Sequence, residues 1–165
     1  MATVKERVVR EVITQRTVTI EKSPEGVYRF WRNLKNLKIL GHIKSIEVID
    51  DKRSHWVAQG PAGMAVEWDA VITRDIENER IDWESVGGSD MVADGSVLFR
   101  KAPGDRGTEV QVLFRYKPPL GEAGVMFAKL FGQDPSRSVR EDLRRFKQLM
   151  ETGETPSTAG QPSGA

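Results

Sequence analysis

Apolar residues recur at every second position through most of the segment between residues 43 and 118, and short turn sequences interrupt them. The longest run places Met64, Val66, Trp68, Ala70 and Ile72 on one side of an extended segment. Such alternation is typical of strands that bury one face. Because the turns are too short for the crossovers that parallel strands need, consecutive strands must pair antiparallel. The sequence therefore predicts an antiparallel meander with a single apolar face.

Helical patterns flank this meander. After a strand that begins at Arg16, Ser23 followed by Pro24 predicts a helix start, since serine caps helices and proline is tolerated at the first position. The buried face of that helix is predicted at helical spacing: Val27, Phe30, Trp31 and Leu34. A second short helical piece is expected over residues 36–40, near Gly41.

A long helix is predicted at the C-terminal end, over Pro135–Glu151. It carries one apolar stripe: Val139, Leu143, Phe146 and Met150. Gly153 is a plausible helix stop. A shorter helix is expected over residues 121–131. We divide the chain into an N-terminal arm (1–15), one domain (16–151) and a disordered tail (152–165).

Composition excludes several classes of function. The chain has 165 residues, with 25 basic and 24 acidic side chains, so it lacks the concentrated positive charge of nucleic-acid-binding proteins. It has no cysteine, which excludes disulfides and thiol chemistry and fits a cytoplasmic location. No apolar run is long enough for a transmembrane segment. Peripheral membrane contact through the basic stripe of the last helix is a minor alternative, and the oligomeric state is not predicted.

Strand parity points three tryptophans inward: Trp56, Trp68 and Trp83. Centring the first hairpin on Ala62 places Trp56 nearly opposite Trp68. These rings could simply fill a core or could line a cavity. Acidic residues fall on the opposite, solvated parity: Glu67, Asp69, Asp82, Glu84 and Glu109. The absence of an inward acid–base pair weakens an enzymatic interpretation.

The two histidines do not suggest a metal site, and no cofactor is expected. His55 should point outward, whereas His42 precedes the meander at a possible cavity entrance. The glycine-rich segments 60–63 and 87–88 are hairpin turns rather than phosphate-binding loops, because neither opens a helix.

Several short segments resemble a known family. They are Ser54-His55-Trp56-Val57, Glu67-Trp68-Asp69-Ala70, Ile81-Asp82-Trp83-Glu84-Ser85 and Glu141-Asp142-Leu143-Arg144-Arg145-Phe146. Together they resemble the bacterial polyketide cyclase/dehydrase-like branch of the START and pollen-allergen-like superfamily. The resemblance implies an α+β helix-grip fold. In this fold a curved antiparallel sheet of about seven strands wraps around a long C-terminal helix, and two short helices follow the first strand.

The resemblance implies a hydrophobic cavity but no single function. The leading hypothesis is binding of a lipid, quinone or aromatic polyketide-like molecule. The predicted lining is Trp31, Trp56, Trp68, Trp83, Phe99, Phe114, Tyr116, Met126, Leu130, Val139, Leu143 and Phe146. Met126 and Leu130 are candidates for a mobile lid.

Two alternatives stay open. One is a polyketide aromatase/cyclase that uses Tyr116, Ser85 and His42 as its polar groups and obtains most of its rate from positioning. The other is a protein-interaction module whose interior is closed.

Overall fold

The computed structural model describes residues 12–39, 41, 43–59, 63, 65–87, 92–117 and 135–153. The elements are β1 (Val12–Ile20), α1 (Pro24–Arg32), a 3-10 helix (Leu34–Ile39), β2 (Ile43–Val48), β3 (Arg53–Gln59), β4 (Ala65–Ile76), β5 (Arg80–Ser85), β6 (Val92–Lys101), a 3-10 turn (Pro103–Asp105), β7 (Thr108–Lys117) and α2 (Pro135–Thr152). No helix of this described part is long and apolar enough to cross a bilayer. The helix expected over 121–131, the tail beyond Gly153 and the turn at 60–62 lie outside the described residues.

All seven strands form one antiparallel sheet in the order β1-β7-β6-β5-β4-β3-β2. From β2 to β7 each strand pairs with its neighbour in sequence, as the short turns require. The first strand closes the sheet against the last one. The predicted meander and the helix-grip architecture are confirmed.

The first strand begins at Val12, four residues before the predicted start at Arg16. It pairs with β7 along its whole length, from Val12 opposite Tyr116 to Ile20 opposite Thr108. The alternation of apolar and polar residues does not predict this early start, because at residues 13 and 14 the apolar side chain points outward and the polar one inward. Ile13 is 59% exposed, while Thr14 is buried.

Helix α1 starts as predicted, because the Ser23 hydroxyl accepts a hydrogen bond from the Gly26 N–H. Val27 is fully buried, and Trp31 packs against the core. The short helical piece predicted over 36–40 is a 3-10 helix that begins earlier, at Leu34, and buries Leu37.

Helix α2 lies against β1, and polar contacts hold it to β1 and to the segment that precedes β2. The Lys147 ammonium donates to the Thr19 carbonyl at 2.6 Å and to Glu151 at 2.7 Å. Near the other end, Asp142 accepts from the Gly41 N–H at 2.9 Å. The helix runs to Thr152, and Gly153 ends it with φ of 77° and an N–H bonded to the Leu149 carbonyl.

Ion pairs occupy much of the basic stripe on α2. Arg137 pairs with Glu141 at 3.2 Å, as the four-residue spacing predicts. Glu141 also lies four residues before Arg145, but Arg145 pairs instead with Asp142, at 2.5 Å. Asp142 lies three residues before Arg145, and this spacing also brings side chains together on a helix surface.

Candidate functional site

The inner face of the sheet divides into two hydrophobic clusters. We call the first the closed end, where α1 and α2 cover the strands. It consists of Ile20, Val27, Ile72, Ile81, Val97, Phe99, Val110, Leu143 and Phe146. Phe146 is 1% exposed and lies edge-on to Trp31, with ring centroids 4.8 Å apart. This packing leaves the closed end as ordinary core.

The second cluster, which we call the aromatic end, has two of the inward tryptophans among its buried members. Its buried members are Leu37, Trp56, Ala58, Val66, Trp68, Ala70, Ala93 and Tyr116. Further apolar residues pack against them but keep part of their surface accessible: Trp31, Leu34, Ile43, Ile46, Trp83 and Phe114. Apolar side chains that face a concave surface and stay partly accessible are typical of a binding site for apolar molecules.

Two tryptophans at this end form the pair expected from the hairpin register. Trp56 lies directly opposite Trp68, and their rings stack at 6.0 Å with an interplanar angle of 14°. The indole N–H of Trp56 donates to the buried Ser54 hydroxyl at 2.8 Å. This bond satisfies the one polar atom of the Trp56 ring, so the remainder of the ring presents an apolar surface.

A second aromatic row crosses β5, β6 and β7. Trp83, Gly95 and Phe114 occupy directly paired positions, and the Trp83 ring lies over Gly95. A Cβ at Gly95 would come within 2.8 Å of the Trp83 ring, so glycine provides the space that the indole occupies. Phe114 then contacts Trp83 at 5.8 Å and Tyr116 at 5.3 Å between ring centroids. Burial raises the pKa of Tyr116, so its phenol stays protonated at neutral pH.

A recess of about 190 Å³ lies beside this row, where β5, β6 and β7 end. Its lining is Glu84, Ser85, Val92, Ala93, Asp94, Arg115, Tyr116 and Lys117. It brings together Ser85 and Tyr116, two of the three polar groups predicted for a cyclase. The Ser85 hydroxyl accepts a hydrogen bond from the Ala93 N–H at 2.9 Å and keeps its own proton to donate.

The structure separates the residues that the sequence grouped as one lining. Phe99, Leu143 and Phe146 are buried at the closed end, and Val139 packs beside them. The aromatic end contains Trp56, Trp68, Trp83, Phe114 and Tyr116, while Trp31 contacts both clusters. Met126, Leu130 and His42 lie outside the described residues.

Two charged residues that the alternation does not single out lie on the inner face of the sheet. The register shifts between Ile72 and Arg74, and this irregularity turns Asp75 toward α1. Asp75 accepts from the Tyr28 hydroxyl at 2.5 Å and from Arg32 at 2.7 Å. Burial, together with the Asp75 carboxylate, raises the pKa of Tyr28 to about 12.

The second position is Arg16, directly opposite Val112. Val112 packs against the closed end, and side chains of directly opposed residues lie on the same face of a sheet. The alternation along β1 is sufficient to predict that Arg16 faces inward, because it lies two and four residues before the inward-facing Val18 and Ile20.

The outer face holds a charged cluster on β3 and β4. His55 contacts Asp69 through Nδ1 at 2.6 Å and Glu67 through Nε2 at 2.9 Å, and Arg53 pairs with Asp69 at 2.8 Å. His55 points outward as predicted. Asp69, however, is only 23% exposed rather than fully solvated, because these partners cover it. Among the described residues, no group of three or more acidic and histidine side chains is arranged to hold a metal ion.

We expect this cluster to make stability depend on pH. Hydrogen bonds from His55 to Asp69 and Glu67 raise the pKa of the imidazole. When the pKa of an imidazole is higher in the folded state than in the unfolded state, the charged ring stabilises the fold. This stabilisation is complete at a pH below the unfolded-state pKa, about 6.5, and is lost as the pH rises through the folded-state pKa. His55→Gln should therefore reduce the free energy of unfolding more at pH 5 than at pH 9, by about 0.5 kcal/mol, as for other exposed ion pairs.

Urea unfolding at the two pH values measures this difference. Glu47, opposite His55 on β2, also faces the imidazole and adds to the acidic surroundings. Glu47→Gln serves as a control and should change the pH dependence less, since its carboxylate is not hydrogen-bonded to the ring. An equal loss of stability in His55→Gln at both pH values would contradict a contribution from the charged imidazole.

Comparison with known proteins places this geometry in a family. Residues 20–144 match the family model described as polyketide cyclase / dehydrase and lipid transport. The chain belongs to this family. It is also 30% identical, over 75% of its length and 79% of the relative's, to an uncharacterised 17.2 kDa protein from the melC2–rnhH intergenic region of Streptomyces lincolnensis.

Solved structures share the fold. A crystal structure of a Deinococcus radiodurans protein is 40% identical, with a TM-score of 0.70 over 87% of this chain and 100% of the other. The Zhui aromatase/cyclase from Streptomyces sp. R1128 superimposes with a TM-score of 0.65 over 89% of this chain and 100% of that one. Its identity is only 11%, so this second likeness concerns the fold alone.

Proposed function

We propose that the chain binds a hydrophobic small molecule, such as a lipid, quinone or aromatic polyketide-like compound, in the apolar space between the sheet and the C-terminal helix, and that the molecule contacts the aromatic end of this space. The observation that carries this proposal is the row of aromatic rings on the inner face of the sheet. Trp83 and Phe114 contact each other in this row, 5.8 Å apart between ring centroids, and both stay partly accessible.

Affinity would come mainly from covering these aromatic surfaces. Removing apolar surface from water contributes roughly 25 cal/mol per Å² before the cost of ordering the ligand. Flat rings at Trp83 and Phe114 offer large area with little conformational freedom to lose. The family description, which includes lipid transport, supports the same class of ligand. A cytoplasmic location, favoured by the lack of cysteine, remains a prediction.

Binding is tested with N-phenyl-1-naphthylamine, a neutral aromatic probe whose fluorescence increases in apolar surroundings. We expect saturable binding to the wild-type chain. Phe114→Ala should raise the Kd about tenfold, equivalent to about 1.4 kcal/mol, because it removes a ring from the aromatic end. Leu113→Ala is the matched control. Its side chain is also partly buried but belongs to the opposite face of β7, so its Kd should stay within about twofold of wild type.

Native mass spectrometry of gently purified protein complements the titration by detecting a retained ligand. Lack of probe binding by the wild type, together with no thermal shift across a panel of lipids and quinones, would reject the proposal in favour of an interaction module with a closed interior. Equal losses in Phe114→Ala and Leu113→Ala would show that the probe binds elsewhere.

A polyketide aromatase/cyclase is the second candidate, and the shared recess of Ser85 and Tyr116 favours it. A protonated phenol beside a hydroxyl donor could polarise a carbonyl of a folded polyketone. Turnover of a polyketide substrate by the wild type, slowed in Tyr116→Phe, would support it. Unchanged rates in that variant would remove Tyr116 from the mechanism.

A further inference from the structure

We infer that the protein docks through its helices onto membranes that contain anionic lipids. The docking surface is the helical layer, which we define as α1 (Pro24–Arg32), the 3-10 helix (Leu34–Ile39) and α2 (Pro135–Thr152). This inference goes beyond the proposed ligand binding. It rests on that proposal in one respect only: an apolar ligand partitions into bilayers, so a membrane is where the protein would meet it.

The three helices form one layer over the inner face of the sheet. Phe146 of α2 contacts both Phe30 and Trp31 of α1, with ring centroids 5.4 Å and 4.8 Å apart. Gly41, just after the 3-10 helix, donates its N–H to Asp142 of α2 at 2.9 Å. Side chains that point away from the sheet on these elements therefore share one side of the molecule.

Charge is distributed unevenly between the helical layer and the rest of the chain. The layer contains nine basic and four acidic side chains: α1 and the 3-10 helix supply four and one, and α2 supplies five and three. Because the whole chain has 25 basic and 24 acidic side chains, sixteen basic and twenty acidic ones lie elsewhere. The helical layer is thus positive and the remainder negative, although the chain as a whole is nearly neutral.

Many basic side chains of the helical layer have no acidic partner. Five of them are exposed and form no ion pair with any residue that the structure describes: Arg29, Lys35, Lys38, Arg140 and Arg144. All three acidic residues of α2 are already paired with other basic residues of that helix. Arg140 and Arg144 are four residues apart, so like charges lie side by side on the helix surface and repel each other. An anionic surface would offset this repulsion.

The chemistry of the helical layer fits a lipid surface better than a protein partner. Protein interfaces need an apolar core, and their strongest contacts come from large side chains that become buried. The exposed large apolar residues of the described chain all lie outside the layer: Ile13, Val48, Ile49, Ile76 and Val92. Anionic headgroups need no such core, because each nearby Lys or Arg adds its own attraction. Binding of this kind is reversible, as a protein that carries a ligand away requires.

Vesicle sedimentation tests the docking surface. One set of vesicles contains phosphatidylcholine alone, and the other contains equal parts of phosphatidylcholine and phosphatidylglycerol. We expect the wild type to bind the anionic vesicles, with an affinity that falls as salt is added, and not to bind the neutral ones. Arg140→Gln/Arg144→Gln and Lys35→Gln/Lys38→Gln should each raise the Kd for anionic vesicles about 25-fold, a factor of about five for each cation.

Arg74→Gln/Arg100→Gln is the matched control. Both arginines are exposed on the outer face of the sheet, and this variant changes net charge as much as the helical variants do. Its Kd for anionic vesicles should stay within about twofold of wild type. Urea unfolding checks that every variant is folded.

Equal binding of the wild type to both kinds of vesicle, or to neither, would overturn the inference. So would an unchanged Kd in either helical variant, or an equal loss in the control, since net charge would then explain the binding. Tighter binding to a DNA duplex of random sequence than to anionic vesicles would assign the surface to nucleic acid instead.

Titration with N-phenyl-1-naphthylamine in the absence of vesicles keeps this inference apart from the binding proposal. A wild type that binds anionic vesicles but not the probe supports docking and counts against ligand binding. A wild type that binds the probe but not the vesicles rejects docking alone. The helical variants should bind the probe with a Kd within about twofold of wild type, because their exposed cations do not belong to the aromatic end.

Discussion

Gly107→Ala is expected to destabilise the protein more than any other alanine substitution of a described glycine. Gly107 has φ of 103°, and a Cβ there would lie 2.0 Å from the Ile20 carbonyl oxygen and 2.8 Å from the Glu21 Cα. Both contacts are with backbone, so a side-chain rotation cannot relieve them. The β6–β7 turn would have to move away from the end of β1. Strain at positive φ and overpacking together should cost about 3–5 kcal/mol of unfolding free energy.

Gly104→Ala is the matched control in the same turn. Gly104 also has positive φ, 69°, but a Cβ there would meet only the Arg106 side chain, at 3.9 Å. Its cost should be limited to the backbone conformation, about 1 kcal/mol. Urea unfolding of both variants measures the difference. Equal destabilisation would show that the close approach of the turn to β1 contributes nothing beyond conformational strain.

Phe146→Ala is expected to have the largest effect of any truncation on α2. The ring is 1% exposed and contacts both Phe30, at 5.4 Å between centroids, and Trp31, at 4.8 Å. Truncation leaves a cavity where α2 meets α1, and buried Phe→Ala substitutions cost about 3–5 kcal/mol. The corresponding fall in Tm is about 10 °C for a chain of this size.

Met150→Ala is the control on the same apolar stripe. Met150 is only partly buried, so its removal should cost about 1 kcal/mol. Thermal and urea unfolding test both variants, and an unchanged dependence on denaturant would indicate that the unfolded state is unaffected. A loss below about 1 kcal/mol in Phe146→Ala would mean that α2 does not hold the closed end together.

Local patterns are sufficient to predict much of this architecture. The period-two alternation predicts six consecutive antiparallel strands, and the hairpin symmetry predicts Trp56 opposite Trp68. Both follow from short-range geometry, because side chains alternate along a strand and a tight turn determines the register. The Ser23 cap and the Gly153 stop are local in the same sense.

Long-range pairing decides features that alternation alone misses. The early start of β1 depends on β7, which supplies pairing partners to residues whose own pattern is reversed. The inward orientation of Asp75 depends on a register shift between β4 and β5 that no single strand encodes. The position of the Trp83 ring over Gly95 likewise needs two strands to be adjacent.

The amino-acid sequence by itself determined the type and order of most strands, the register of the Trp56–Trp68 hairpin and the inward direction of the tryptophans, because these depend on neighbours close in the chain. Only the tertiary structure decided which inward residues are sealed and which stay accessible. That division depends on where α1 and α2 cover the sheet: Phe99 and Phe146 lie at the closed end, whereas Trp83 and Phe114 keep accessible surface. Burial of a side chain depends on every element packed around it. Strand parity can therefore predict which side of the sheet a residue faces, but not whether a helix covers it there.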